Sequence, residues 1–274
     1  MKSTHDLNES KEAADAYRLA FNDPEFLQRP ETRGIRFQLE LLKPELIQTE
    51  AGIHNTVVVF GSARFKSLDE SQQRYQEAMK LPPSAINTEV LALAKRDLEN
   101  ASYYEAARKF ARLVSQASAF HPSKDRLTIC TGGGPGIMEA ANRGAMEAGA
   151  PSVAMNIALP HEQVPNPYVT PGLSFQFHYF ALRKMHFAMR AKALISFPGG
   201  FGTLDELFEI LTLVQTRKVQ PTPVLLYGSE FWKRLIDFDY LLDSGTISKE
   251  DLACFKYVDS PEEACAEIQK LLPC

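Results

Sequence analysis

One stretch limits the possible folds more than any other: Ala193-Leu194-Ile195-Ser196-Phe197, then Pro198-Gly199-Gly200-Phe201-Gly202-Thr203. Its apolar half shows no alternation, as expected of a parallel strand covered on both faces. Beyond the glycines, Leu204, Leu207, Phe208 and Leu211 recur at helical spacing. Strand, glycine turn and helix in succession form the unit of a wound parallel sheet. Glycines at 199, 200 and 202 let the backbone approach a ligand closely. Thr203 reads as the helix cap. The N–H groups of a helix N-terminus, aligned with the macrodipole, attract an anion, most often phosphate. Glu206 brings a carboxylate one turn further in.

The same unit recurs along the chain. Thr56-Val57-Val58-Val59-Phe60 is a β-branched run, followed by Gly61-Ser62. Leu127-Thr128-Ile129-Cys130 leads into a second glycine turn, Thr131-Gly132-Gly133-Gly134-Pro135-Gly136, with Pro135 suited to a first helical turn. Its helix runs to Gly149, a C′ residue. Further strands are expected at 152–157, 175–179, 193–197 and 223–227, with helices at 103–119, 180–190, 204–216, 230–243 and 261–272. The expected fold class is α/β, a Rossmann-like doubly wound parallel sheet with helices on both faces. Residues 1–50 are read as a helical N-terminal extension, a packing or dimer arm. Residues 51–274 form the main domain, with a helical insertion at about 66–100 broken at Pro82-Pro83.

Composition excludes several classes. A net charge of -4 argues against a nucleic-acid partner, which usually demands a basic face. The four cysteines form no C-x-x-C pair and no His stands at ligand spacing from them, so neither a disulfide framework nor a metal site is expected. Met1 to Asp6 hold no leader-like apolar stretch, and no run reaches the roughly 20 residues needed to span a bilayer. The expectation is a cytoplasmic chain without membrane contact.

Other motifs fail on spacing. Neither glycine turn fits G-x-G-x-x-G, and no Gly-Lys-Ser/Thr follows, so dinucleotide and P-loop sites are disfavoured. No G-x-S-x-G elbow is present. Thr203-x-x-Glu206 also fits a capping box, with Glu206 bonded to the Thr203 amide. Arg183-Lys184 fits a solvated basic pair, although its neighbours Phe180, Leu182, Met185 and Phe187 are apolar. His178 alternates with Phe177 and Tyr179 and reads as structural. Two glycine turns at the carboxyl edge of one sheet nevertheless favour a phosphate or nucleotide site, and Gly133 and Gly134 join Gly199 as its candidate lining.

Arg183-Lys184 followed by Pro198-Gly199-Gly200-Phe201-Gly202-Thr203-Leu204-Asp205-Glu206 resembles the pattern of the Lonely guy (LOG) family, often labelled lysine decarboxylases. The turn at 131–139 resembles the family's other glycine turn, and the likeness runs from about residue 53 onward. It implies a homodimeric phosphoribohydrolase with active sites near the subunit interface. Such an enzyme splits AMP or a cytokinin ribotide into free base and ribose 5-phosphate, with no cofactor. Carried over by position, Arg183 and Glu206 match the catalytic pair. Lys184 and Gly200, Phe201, Gly202 and Thr203 match substrate and phosphate contacts, and Glu162 and Thr212 match further substrate positions. The long N-terminal segment, the insertion and Gly-Ile-Met-Glu in place of Gly-Leu-Met-Gly resemble a longer bacterial branch with a more general nucleotide substrate. Nothing in the chain resembles a pyridoxal phosphate site. The alternative is a non-catalytic nucleotide or molybdenum-cofactor carrier of the same fold.

Overall fold

The computed structural model describes residues 17–159, 164–220 and 222–273. The chain divides into two compact units, 1–46 and 47–274. In the first, α1 (Pro24–Gln28) starts with Asp23, whose carboxylate accepts the Phe26 amide. The Thr32 hydroxyl and the Arg36 guanidinium gather the carbonyls of Leu27 and Arg29. α2 (Arg33–Glu50) follows, its last turn belonging to the second unit. Ile35, Leu39, Leu42 and Leu46 share one face of α2 and stay exposed.

The second unit is a seven-stranded parallel sheet in the order β4-β3-β2-β1-β5-β6-β7. The strands are β1 (Asn55–Phe60), β2 (Leu127–Thr131), β3 (Ser152–Ile157), β4 (Ser174–Phe177), β5 (Ala191–Ser196), β6 (Val224–Tyr227) and β7 (Phe255–Val258). Between them lie α3 (Leu68–Met79), α4 (Ala85–Ser118), α5 (Ile137–Glu147), α6 (Phe180–Met189), α7 (Phe201–Gln215), α8 (Ser229–Leu235) and α9 (Phe238–Asp243); α10 (Pro261–Gln269) follows β7. Val57, Val58 and Val59 are fully buried, as are Leu194 and Ile195 beside them. That is why both runs lack a polar face. From β1 the chain winds outward to β4 and then crosses back to place β5 on the other flank of β1. The carboxyl ends of β1 and β5 therefore bound the switch point, where open α/β sheets bind ligands.

The doubly wound sheet holds, with four local differences. The helix expected from residue 103 is the second half of the 34-residue α4. Its first half packs on α3 through the Arg74–Asp97 ion pair, so the insertion is an extended hairpin grown from a core helix. The stretch at 230–243 is two helices interrupted at Ile236-Asp237, where Asp237 caps α9. β7 was not expected: as an edge strand with pattern Phe-Lys-Tyr-Val it gives only a weak alternating signal. α5 begins at Ile137, so Pro135 stands before the cap residue Gly136. Among the described residues no helix is long and apolar enough to cross a membrane.

Candidate active site

Helix starts in the second unit fall into two kinds. α3, α4, α9 and α10 begin behind Ser67, Ser84, Asp237 and Ser260, whose side chains accept a first-turn amide. α5, α6, α7 and α8 begin behind Gly136, Tyr179, Gly200 and Gly228, with no side-chain cap from that residue, although at α8 the Ser229 amide is taken by Asp259. In α7 the first intrahelical bond is Leu204 N–H to the Gly200 carbonyl at 3.0 Å, and no acid stands in the first turn. The preceding N–H groups are left for an external acceptor at the positive end of the macrodipole. The Thr203 cap is thereby corrected: Thr203 is the third residue of α7 and buried against Gly199.

Backbone bonds join the two glycine turns through the loop after β1. Ser62 N–H donates to the Pro198 carbonyl, and Ile137 N–H donates to the Ser62 carbonyl, each at 3.0 Å. The β2 turn, with Gly133 and Gly134, and the β5 turn, with Gly199, Gly200 and Gly202, thus share one edge of the sheet.

α6 supplies the guanidinium. Arg183 Nη2 lies 2.6 Å from Glu206 Oε1, with the two side chains only 11% and 12% exposed. The Arg183 guanidinium sits over the rings of Phe180 and Phe187 at 5.2 and 5.6 Å, which explains its apolar neighbours. Glu206 is not bonded back in a capping box; its carboxylate is taken up by Arg183 across the helix pair. Burial raises the Glu206 pKa to about 7 and Asp205 adds to the rise, against the pull of Arg183 and Lys184. A carboxyl near neutrality, held by a cation at the head of an uncapped helix, is equipped to take up and return a proton. The fully buried thiol of Cys130 on β2 feels the Glu206 charge, and burial pushes its pKa far up.

The other expected residues distribute unevenly. Lys184 Nζ is held by Asp205 Oδ1 at 2.7 Å and Glu209 Oε2 at 2.8 Å, bridging α6 to α7. Phe201, the first residue of α7, is 93% exposed. Thr212 donates to the Phe208 carbonyl and lines a separate cavity of about 130 Å³ with Phe208, Leu211, Phe238 and Phe255. It lies six residues along α7 from Glu206, about 9 Å by helical rise. His178 is exposed and packs edge-on against Tyr179. Glu162 lies outside the described residues. Among the described residues no cluster of His, Cys, Asp or Glu could hold a metal ion.

Sequence reasoning missed a buried polar group beneath the β2 turn. The Thr131 hydroxyl accepts from Gly133 N–H and donates to Asn142 Oδ1, which also accepts from Asn166 Nδ2. The only sequence signal was an Asn between two prolines, Pro165-Asn166-Pro167.

Fold and site together define a Rossmann-like α/β protein with an anion-ready glycine turn beside a buried Arg–Glu pair. A family model described as "Possible lysine decarboxylase" matches residues 138–268. The chain is 31% identical over 94 residues to a cytokinin riboside 5′-monophosphate phosphoribohydrolase of Arabidopsis thaliana, covering 34% of this chain and 43% of that protein. It is 29% identical over 161 residues to the pyrimidine/purine nucleotide 5′-monophosphate nucleosidase of Escherichia coli K12, covering 54% of this chain and 34% of that one. These matches span less than half the length of either relative. Among solved structures, the molybdenum cofactor binding protein of Rippkaea orientalis aligns at 17% identity and a TM-score of 0.46, over 79% of this chain and 96% of that one. The chain is thus similar to Lonely guy proteins over part of its length.

Proposed function

We propose that this chain hydrolyses the N-glycosidic bond of a nucleoside 5′-monophosphate, AMP or a cytokinin ribotide, to free base and ribose 5-phosphate. The observation that carries the reading is the buried Arg183–Glu206 pair set beside the uncapped N-terminus of α7. The names of the relatives support the same chemistry.

The substrate phosphate binds the free N–H groups at Gly200, Phe201, Gly202 and Thr203. That anchorage holds the ribose over Glu206 and converts binding energy into orientation. Cleavage sends the bonding electron pair to the departing base and builds positive charge at the anomeric carbon. The Glu206 carboxylate takes a proton from the attacking water as its oxygen bonds that carbon. Glu206 then returns that proton to the departing base, so one water is consumed and the carboxylate is regenerated. Arg183 fixes the carboxylate and keeps part of it ionised at neutral pH. In this reading the chain is a cytoplasmic homodimer, and the exposed apolar face of α2 supports self-association.

The test is adenine release from AMP by the purified protein, with light scattering for the dimer. Release by the wild type and its loss in Glu206→Gln support the reading. Tight AMP binding with no release would overturn it in favour of a carrier.

A further inference from the structure

We propose that Asn166 is a positioning residue for the ligand. It would act by clamping the β2 glycine turn so that the Gly134 amide N–H faces the bound nucleotide. This rests on the proposed site, but it concerns a residue outside both glycine motifs.

The geometry is unusually complete for one side chain. Asn166 Nδ2 donates to the carbonyls of Gly133 and Gly134 at 3.2 and 3.1 Å, and to Asn142 Oδ1 at 2.9 Å. Its backbone N–H donates again to the Gly133 carbonyl at 2.9 Å. Its Oδ1 accepts from the Tyr168 amide, which fixes the amide's orientation. Asn166 is 7% exposed and Asn142 fully buried, so these bonds form away from water.

A trans peptide is planar, with its C=O and N–H on opposite sides. Two donors from Asn166 on the Gly133 carbonyl therefore turn the Gly134 N–H to the side away from Asn166. Thr131 fixes the preceding peptide by accepting the Gly133 N–H at 3.0 Å. Gly133 has φ +74°, and a Cβ there would lie 2.5 Å from Asn156 Oδ1. Only glycine fits that position.

The group also carries a cost. Asn142 Nδ2 is buried with no hydrogen-bond partner. Leaving a buried donor unmet is unfavourable. A core built for stability alone would be as well served by apolar residues of the same volume. The network is specific instead: its bonds on the turn fix three successive peptides, from Gly132–Gly133 through Gly134–Pro135.

The experiment compares wild type with Asn166→Ala and Thr131→Val, which loosen the same turn from opposite sides. AMP hydrolysis gives kcat and KM, calorimetry gives AMP binding, and thermal unfolding controls for fold. The expected result is a KM raised about tenfold in Asn166→Ala, and less in Thr131→Val, with kcat within about threefold. A purely structural role would lower the Tm without this split. Unchanged KM in folded variants overturns the proposal. So does a loss confined to kcat. If Asn166→Ala does not fold, Thr131→Val decides by the same criterion. If the wild type binds AMP without hydrolysing it, the hydrolase reading fails alone, and a weakened AMP affinity in the variants still supports the clamp. If the wild type neither binds nor hydrolyses AMP, both fail.

Discussion

The two glycine turns look alike in sequence and differ in what requires their glycines. At the β2 turn the protein itself leaves no room. A Cβ on Gly136, at φ +73°, would lie 2.3 Å from the Ser62 carbonyl oxygen. At the β5 turn, Gly200 and Gly202 have nothing within 4 Å of a built Cβ, and neither has a positive φ. Protein packing therefore gives no reason for glycine at 200 or 202; the proposed site supplies one, in close approach by a ligand. One turn is a packed wall held by Asn166; the other is packed at Gly199, where a Cβ would lie 2.2 Å from Thr203 Oγ1, and open at Gly200 and Gly202, with Arg183 and Glu206 beside it.

The contrast can be broken at its chemical end first. Glu206→Gln should lower adenine release from AMP at least about a thousandfold while the protein still binds AMP, because only the proton acceptor is lost. Comparable loss from a folded β2-turn variant would erase the distinction. Next comes the packed end. Gly136→Ala should cost about 2–4 kcal/mol in denaturant unfolding, since it adds a clash to a backbone conformation that side chains avoid. The pH profile sharpens the open end. If the Glu206 carboxylate is the base, kcat/KM should fall about tenfold per unit as pH drops below 7. Its stability sign is opposite: the folded chain holds this proton where the unfolded chain has released it. The wild type should thus lose stability relative to Glu206→Gln as pH rises from 4.5 to about 7. The smallest effect is expected from Gly202→Ala. Its unfolding midpoint should stay within about 0.5 kcal/mol, and its KM for AMP should rise about tenfold. A destabilised Gly202→Ala with normal KM would show that the two turns need glycine for the same reason.

Much of this was legible because strand burial leaves a clear trace. Runs such as Val57-Val58-Val59 and Leu194-Ile195 can only be interior, and the glycine clusters after β2 and β5 mark the sheet's carboxyl edge. The Arg183–Glu206 approach was legible only through the family resemblance. Spacing alone fitted a solvated basic pair and a capping box equally well, and nothing local says that α6 will lie against α7. The capping error has a specific cause: Thr203 is a good cap by type, but Gly200 already supplies the turn, so the helix starts three residues earlier. The Asn166 clamp was hidden for a different reason. Its partners, 24 to 33 residues away, are mostly main-chain carbonyls, which have no sequence signature. β7 was hidden because an edge strand is only half covered.

Cys130 gives the fold a built-in reporter. Its sulfur sits inside the central sheet, within reach of the Glu206 charge, and burial keeps it protonated. Alkylating reagents attack the thiolate, so this position stays unlabelled until the strands around it separate. The rate at which a small maleimide finds Cys130, followed by peptide mass, therefore measures how often the centre of the sheet opens.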